Sequence, residues 1–201
     1  MQALQWVIEF PKFVQRPMII AATPQHSAQT IAFNEVGRTS IKGDPKWNNG
    51  NYTHDSRSEM GLAVSRMMAH ITYLSDEGME EKFGRNQMKL SVEEEEQQFA
   101  VESYLHHQGL RFVDRFDANT YLKLTKALDH FDLVGEKGLE HTLKNVEAKV
   151  MVVGFTTDWL YTPAQNKMIA EALQKLSKHA SYLEIDHPHG HDSFLIQSDN
   201  F

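Results

Sequence analysis

Several features are missing from this sequence, and each absence excludes a class of protein or site. The chain contains no cysteine, which excludes disulfides, thiolate catalysis and cysteine-ligated zinc. No apolar run approaches the roughly 20 residues that a membrane-spanning helix needs. The formal net charge is −7 and basic residues do not cluster, so nucleic acid is not an expected partner. The N-terminus lacks the basic start and the small-residue cleavage site of a secretory signal, and we expect a cytoplasmic protein.

Short apolar runs bounded by turn residues predict two strands, at residues 16–23 and 150–155, and residues 181–185 are predicted to form the last strand. Runs of this kind are typical of a parallel sheet that is buried on both faces. Between the first two runs, apolar residues recur at helical spacing and no clear strand is seen. The predicted helices are residues 1–10, 29–40, 60–75, 91–109, 120–131 and 163–177.

Capping signals support two of these helices. Ser91 and Glu94 have the spacing of a capping box, and Gly109 is expected to end the helix that they begin. Thr162 is the expected N-cap of the helix that starts at Pro163, since proline is favoured at the first helical position.

Two ionisable residues follow two successive predicted strands. Asp158 comes after the strand that ends at Phe155, and His191 comes after the next strand, 33 residues beyond Asp158. This is the order of the last two members of a Ser–Asp–His triad in α/β hydrolases. In such a triad the histidine takes the serine proton and later returns it, while the aspartate orients the imidazole. The plainer interpretation is a helix-capping aspartate and an exposed loop histidine.

The nucleophile of this triad is missing from the chain. No Gly-x-Ser-x-Gly sequence, the strand-to-helix turn that carries the serine, occurs among the 201 residues. Residues 1–10 form an amphipathic helix with no N-cap before it, and a helix predicted from Asp192 stops at Phe201. We therefore expect an internal piece of an enzyme that begins just after its nucleophile.

Taken together, these elements predict an α/β fold. Residues 1–24 and 146–201 are expected to form the C-terminal part of an α/β-hydrolase parallel sheet, and residues 25–145 an inserted helical lid.

Histidines alternate at positions 187, 189 and 191, and this pattern also allows a metal site. Two aspartates, Asp186 and Asp192, flank the segment, and histidines on an extended segment can bind zinc. A hydrolytic site would need further ligands from later strands, and only nine residues follow Asp192. We predict no metal, with His187 and His189 as loop residues.

One face of the helix predicted at residues 60–75 combines polar side chains. Arg66, His70 and Tyr73 are spaced i, i+4 and i+7 and project together. A solvated polar face is the plainer interpretation. The functional interpretation is an arginine that binds the carboxylate of a ligand through paired hydrogen bonds.

Four stretches of the chain resemble one family. They are HSAQTIAFNEVGR (26–38), GLAVSRMMAHITYLS (61–75), FDANTYLKLTKALDHFDL (116–133), and TTDWLYTP (156–163) together with GHDSFL (190–195). The chain is similar along its whole length to the homoserine O-acetyltransferases of methionine biosynthesis. His187 and His189 depart from the family, in which serine and tyrosine are common at these positions.

The resemblance implies a role for each candidate residue. Asp158 would orient the base, His191 would act as general base and acid, Arg66 would bind the carboxylate of L-homoserine, Asp192 would bind its ammonium group, and Tyr73 would line the same tunnel. The catalytic serine would lie about four residues before Met1, on the nucleophile turn. It would take an acyl group from acyl-CoA and pass it to homoserine in a ping-pong reaction.

The resemblance further implies acetyl-CoA as a co-substrate, no other cofactor, and a homodimer formed through the lid helices of the full-length protein. Alternatives stay open. They are a serine O-acetyltransferase or homoserine O-succinyltransferase of the same family, an esterase on the same fold, and a non-catalytic remnant that binds a ligand.

Overall fold

A computed structural model of the chain describes residues 1–89 and 97–196. The strands in chain order are β1 (Met18–Ile20), β2 (Gln87–Lys89), β3 (Gln97–Phe99), β4 (Val150–Phe155) and β5 (Ala180–Ile185). The α-helices are α1 (Gln2–Glu9), α2 (Ala28–Gly43), α3 (Glu59–Tyr73), α4 (Asp76–Lys82), α5 (Ala100–Val113), α6 (Ala118–Asp129), α7 (Leu139–Leu143) and α8 (Pro163–Lys175). No helix in these ranges is both long and apolar enough to cross a membrane.

The chain divides into two compact units. The sheet unit comprises Met1–His26, Tyr73–Ser75 and the chain from His130 onward. The helical unit comprises Ser27–Thr72 and Asp76–Asp129.

The sheet unit is built on three parallel strands in the order β1-β4-β5. Side chains alternate between the two faces of the central strand β4, as the period of a strand requires. Val150 and Val152 join a core with α1, α7 and α8, whereas Val153 and Phe155 join a smaller core that includes Ile185. Five of the six β4 residues are buried, which explains why this strand is a continuous apolar run. The predicted α/β class is confirmed.

The helical unit has a core of its own, made by Ile41, Leu62, Ala63, Phe112, Val113 and Ala118. A buried ion pair joins α2 to α6: Arg38, only 1% exposed, places Nη1 2.6 Å from Oδ2 of Asp129. Asn34 donates a hydrogen bond to the other oxygen of the same carboxylate. A buried charge is tolerated here because it is paired and hydrogen-bonded.

The predicted strands and most predicted helices are confirmed, and three predictions in the local structure are wrong. An antiparallel pair, β2 with β3, occurs in the block that was expected to contain no strand. These strands have three residues each and no apolar alternation, so the sequence carries no strand signal. Gly109 lies inside α5 and does not end it. A glycine is found there because a Cβ would stand 3.0 Å from the carbonyl oxygen of Ala63. The segment after Gly190 is a 3-10 helix, Gly190–Leu195.

The predicted capping box at Ser91 and Glu94 lies outside the described residues. Residues 130–145, which were expected in the insertion, belong to the sheet unit, where Leu139 and Leu143 join the core. The function of the insertion as a lid stays a prediction.

Candidate active site

The ends of two neighbouring strands place Asp158 beside His191. Asp158 follows the carboxyl end of β4, and His191 follows the loop after β5. Since the two strands are parallel and adjacent, their carboxyl ends open at the same edge of the sheet. Nδ1 of His191 lies 2.8 Å from Oδ2 of Asp158.

The carboxylate of Asp158 is held on both oxygens. Its side chain is fully buried. Oδ1 accepts hydrogen bonds from the main-chain N–H groups of Leu160, at 3.0 Å, and Tyr161, at 2.9 Å. Oδ2 accepts from Nδ1 of His191, because an ionised carboxylate can only accept. With the proton on Nδ1, Nε2 of His191 is left as an acceptor, which is the tautomer that a general base needs.

Two threonines before Asp158 tie down the loop that carries His191. The hydroxyl of Thr156 donates to Asp186, and that of Thr157 donates to the carbonyl oxygen of His187. The main-chain N–H of Gly190 then donates to the Thr157 hydroxyl at 3.0 Å. The sequence interpretation did not assign these threonines a role. Their position between a strand and the candidate aspartate was the available signal.

Three aromatic rings surround the imidazole of His191. Ring centroids lie 5.1 Å away for Tyr161, 5.5 Å for Phe194 and 6.0 Å for Tyr73. The Tyr161 and Phe194 rings stand nearly perpendicular to the imidazole, an arrangement that aromatic pairs favour. The His191 side chain is 15% exposed, so it remains partly accessible.

The remaining predicted residues fall in both units. Asp192, half-buried, follows His191 directly in the sheet unit, which also contains Tyr73. Arg66 is on α3 of the helical unit, with its guanidinium carbon 4.7 Å from the centre of the Phe112 ring. The structure therefore brings Asp158, His191 and Tyr73 together, while the assignments of Arg66 and Asp192 to substrate groups stay predictions.

The neighbouring histidines are packed together. The rings of His187 and His189 have centroids 5.0 Å apart, and His187 is 95% buried, being 5% exposed. The pKa of His187 is lowered, mainly by burial and to a smaller extent by the charge of the nearby His189, whereas the negative charge of Asp186 acts to raise it. Within residues 1–89 and 97–196 no three His, Asp or Glu side chains are grouped so that they could hold a metal ion.

Known proteins are similar to this chain in sequence and in fold. The profile of the alpha/beta hydrolase fold family matches residues 1–197. A homoserine O-acetyltransferase of Leptospira biflexa is 50% identical over 199 residues, which is 99% of this chain and 52% of that protein. One from Methanohalobium evestigatum is 50% identical over 98% of this chain and 41% of its own length. The crystal structure of homoserine O-acetyltransferase from Bacillus anthracis superposes with a TM-score of 0.84 at 26% identity, covering 96% of this chain and 52% of that chain.

These comparisons confirm the predicted resemblance to homoserine O-acetyltransferases. The chain spans about half the length of the curated relatives it matches. Its parallel sheet, the Asp158–His191 pair after successive strands, and the match of the profile agree with one another. The chain belongs to the alpha/beta hydrolase fold family.

Proposed function

We propose that this chain provides the acid–base part of an acyltransferase that moves an acetyl group from acetyl-CoA to the hydroxyl of L-homoserine. The observation that carries the proposal is the 2.8 Å contact between His191 Nδ1 and the buried carboxylate of Asp158. The similarity to homoserine O-acetyltransferases, at 50% identity over nearly the whole chain, supports the choice of substrate.

In the proposed reaction, the nucleophile is a serine in a segment that precedes Met1. We call this chain joined to such an N-terminal segment the extended protein. His191 Nε2 takes the proton of the serine hydroxyl as the serine attacks the thioester carbonyl of acetyl-CoA. The protonated imidazole then gives that proton to the departing thiolate of coenzyme A, which leaves an acetyl-serine.

The second half of the reaction reverses these roles. His191 takes the proton from the hydroxyl of homoserine, whose oxygen attacks the acetyl-serine carbonyl, and the proton returns to the serine as O-acetylhomoserine leaves. Asp158 stabilises the imidazolium at both stages and keeps Nδ1 protonated. The reaction calls for no cofactor besides the acetyl-CoA co-substrate and for no metal.

Charged side chains would hold the acceptor. Arg66 would bind the carboxylate of homoserine, for which a planar guanidinium is well suited. Asp192 would bind its ammonium group, and Tyr73 would line the path beside His191. The helical unit would act as a lid that excludes water, so that transfer is faster than hydrolysis. We also propose a cytoplasmic homodimer that forms through the helical unit and acts in methionine biosynthesis.

A decisive experiment compares the extended protein with this chain alone. We expect the extended protein to release one equivalent of coenzyme A in a burst and to acetylate homoserine in preference to serine. The 201-residue chain alone should do neither. Replacement of His191 by alanine in the extended protein should abolish the burst.

Each other outcome contradicts a part of the proposal. Turnover by the isolated chain would remove the need for a nucleophile before Met1. Faster reaction with succinyl-CoA, or with serine as acceptor, would assign the chain to one of the related acyltransferases. Acetyl-CoA hydrolysis that homoserine does not suppress would point to an esterase.

A further inference from the structure

His26 lies far in sequence from the Asp158–His191 pair and is connected to it through Tyr161. Nε2 of His26 lies 2.9 Å from the hydroxyl oxygen of Tyr161, across a separation of 135 residues. The Tyr161 ring in turn packs against the imidazole of His191 at 5.1 Å and an interplanar angle of 89°. All three residues belong to the sheet unit.

Tyr161 is held at both of its ends. At the main-chain end, its N–H donates to Oδ1 of Asp158, the carboxylate whose other oxygen holds His191. At the phenol end, its hydroxyl bonds to His26, which is 7% exposed. A ring that is fixed at both ends presents a rigid wall to its neighbour, because neither its backbone nor its χ angles are free to relax.

The segment that carries His26 is itself anchored to the segment that carries Tyr161. Asn166, which is completely buried, accepts from the main-chain N–H of Ala22 at 3.2 Å and donates to the carbonyl oxygens of Tyr161 and Thr162 at 2.8 Å each. One side chain therefore connects the loop after β1 to the loop after β4. This connection holds the loop that leads to His26 against the loop that carries Tyr161.

The pair with Asp158 leaves one motion of the imidazole uncontrolled. A single hydrogen bond at Nδ1 fixes the tautomer, but the ring can still swing about the axis of that bond. A general base needs Nε2 aimed at the hydroxyl that it deprotonates, and small misplacements at such a centre are costly to the rate. The perpendicular Tyr161 ring blocks this swing on one side, and Phe194 at 5.5 Å faces the imidazole as well.

We propose that Tyr161, held at its hydroxyl by His26, is a positioning residue that keeps the His191 imidazole aimed for proton transfer. The inference rests on the proposed function for its kinetic consequence. Its structural content, the coupling of His26 to His191 through Tyr161, does not depend on acyl transfer.

The test uses four variants of the extended protein. Tyr161→Phe keeps the ring and removes the hydroxyl, and His26→Phe keeps the volume and removes the partner. The third variant combines both, and the fourth, His26→Gln, restores a hydrogen-bonding group at the same position. The matched control is Tyr182→Phe, because the Tyr182 hydroxyl donates to Glu184 on the same strand at 2.7 Å and to the carbonyl oxygen of Pro163 at 3.4 Å, and not to His26, Tyr161 or His191.

We expect Tyr161→Phe and His26→Phe each to lower kcat about 10- to 100-fold, with the KM for acetyl-CoA unchanged. The double variant should be no slower than the worse single variant, because both changes break the same contact. His26→Gln should recover most of kcat. Tyr182→Phe should retain the native rate.

A second measurement separates this inference from the proposed function. In proton NMR spectra, the Tyr161 ring shifts the carbon-bound protons of His191 through its ring current. We expect the same change of these resonances in Tyr161→Phe and His26→Phe, and none in Tyr182→Phe. If the native protein lacks acyl transfer but the Tyr161→Phe and His26→Phe variants show these changes, the proposed function is wrong and the coupling stands. Additive rate losses, or unchanged His191 resonances, would overturn the inference.

Discussion

Gly190 and Ser75 approach so closely that no side chain fits between them. A Cβ added at Gly190 would stand 2.5 Å from the main-chain nitrogen of Ser75, and the glycine has a φ of +70°. The Ser75 hydroxyl also donates to the carbonyl oxygen of Pro188 in the same loop. The residue before His191 is therefore fixed by a contact that only glycine permits.

Replacement of Gly190 by alanine should destabilise the protein by about 2–4 kcal/mol, through the positive φ and the clash with main-chain atoms. The measurement is urea unfolding of the extended protein. Gly135→Ala is the matched control, because Gly135 has a φ of +50° with no atom within 4 Å of an added Cβ. It should cost only about 1 kcal/mol. Equal losses in the two variants would show that the contact with Ser75 is unimportant.

Asp158→Asn should lower the kcat for acetyl transfer about 10³- to 10⁴-fold, because the amide can donate to His191 and so favours the wrong tautomer. The readout is the rate of O-acetylhomoserine formation by the extended protein at saturating substrates. Asp186→Asn is the control, since Asp186 is exposed and the amide oxygen of asparagine can still accept the hydrogen bond from Thr156. If Asp158→Asn keeps more than a tenth of the native rate, the orienting role is excluded.

Arg66→Ala should raise the KM for homoserine about 10- to 100-fold, the loss expected for a charge-assisted hydrogen bond. The KM for acetyl-CoA should stay unchanged. The KM for homoserine of Arg66→Lys should lie between those of the native protein and Arg66→Ala, because lysine keeps the charge but not the planar pair of donors. Steady-state kinetics with each substrate varied decide the outcome. Arg115→Ala serves as control, since Arg115 is exposed and its guanidinium also lies near the Phe112 ring, at 6.0 Å. Equal increases for both substrates would remove Arg66 from the acceptor site.

His70 should make the stability of the protein depend on pH. The pKa of His70 is lowered from 6.5 to about 4, mainly by burial and to a smaller extent by the positive charges of Arg66, Lys82 and Arg115. Between pH 6.5 and about 4, His70 therefore binds a proton in the unfolded chain and not in the folded chain. The stabilisation is fully present above pH 6.5 and is lost as the pH falls towards 4. Between about pH 7.5 and about pH 5, we expect a loss of about 2 kcal/mol from this residue.

The check is urea unfolding at both pH values. His70→Gln should remove that part of the pH dependence, whereas His106→Gln, at an exposed position on α5, should retain it. If the native protein and His70→Gln lose the same free energy between the two pH values, the burial of His70 has no such consequence. The Nδ1 of His70 lies 3.0 Å from the Tyr104 hydroxyl, a contact that the neutral ring can make in either tautomer.

Much of the sheet unit was predictable from local patterns in the sequence. β4 and β5 were expected within a residue of their observed bounds. For β4 the reason is that a strand buried on both faces must be a continuous apolar run. Asp158 and His191 were candidates because each follows a predicted strand, and neighbouring parallel strands end at one edge of the sheet. The N-cap at Thr162 was readable from Thr-Pro alone.

Tertiary structure decided the rest, because it depends on which distant segments become neighbours. The contact of His26 with Tyr161 spans 135 residues and exists only because β1 lies beside β4 in the sheet. Gly190 gives no sign in the sequence that Ser75 will approach it. A local pattern encodes burial and period, which determine strands and helices. It carries no information about the partner that a side chain meets across the sheet, and that partner determines how the imidazole of His191 is held.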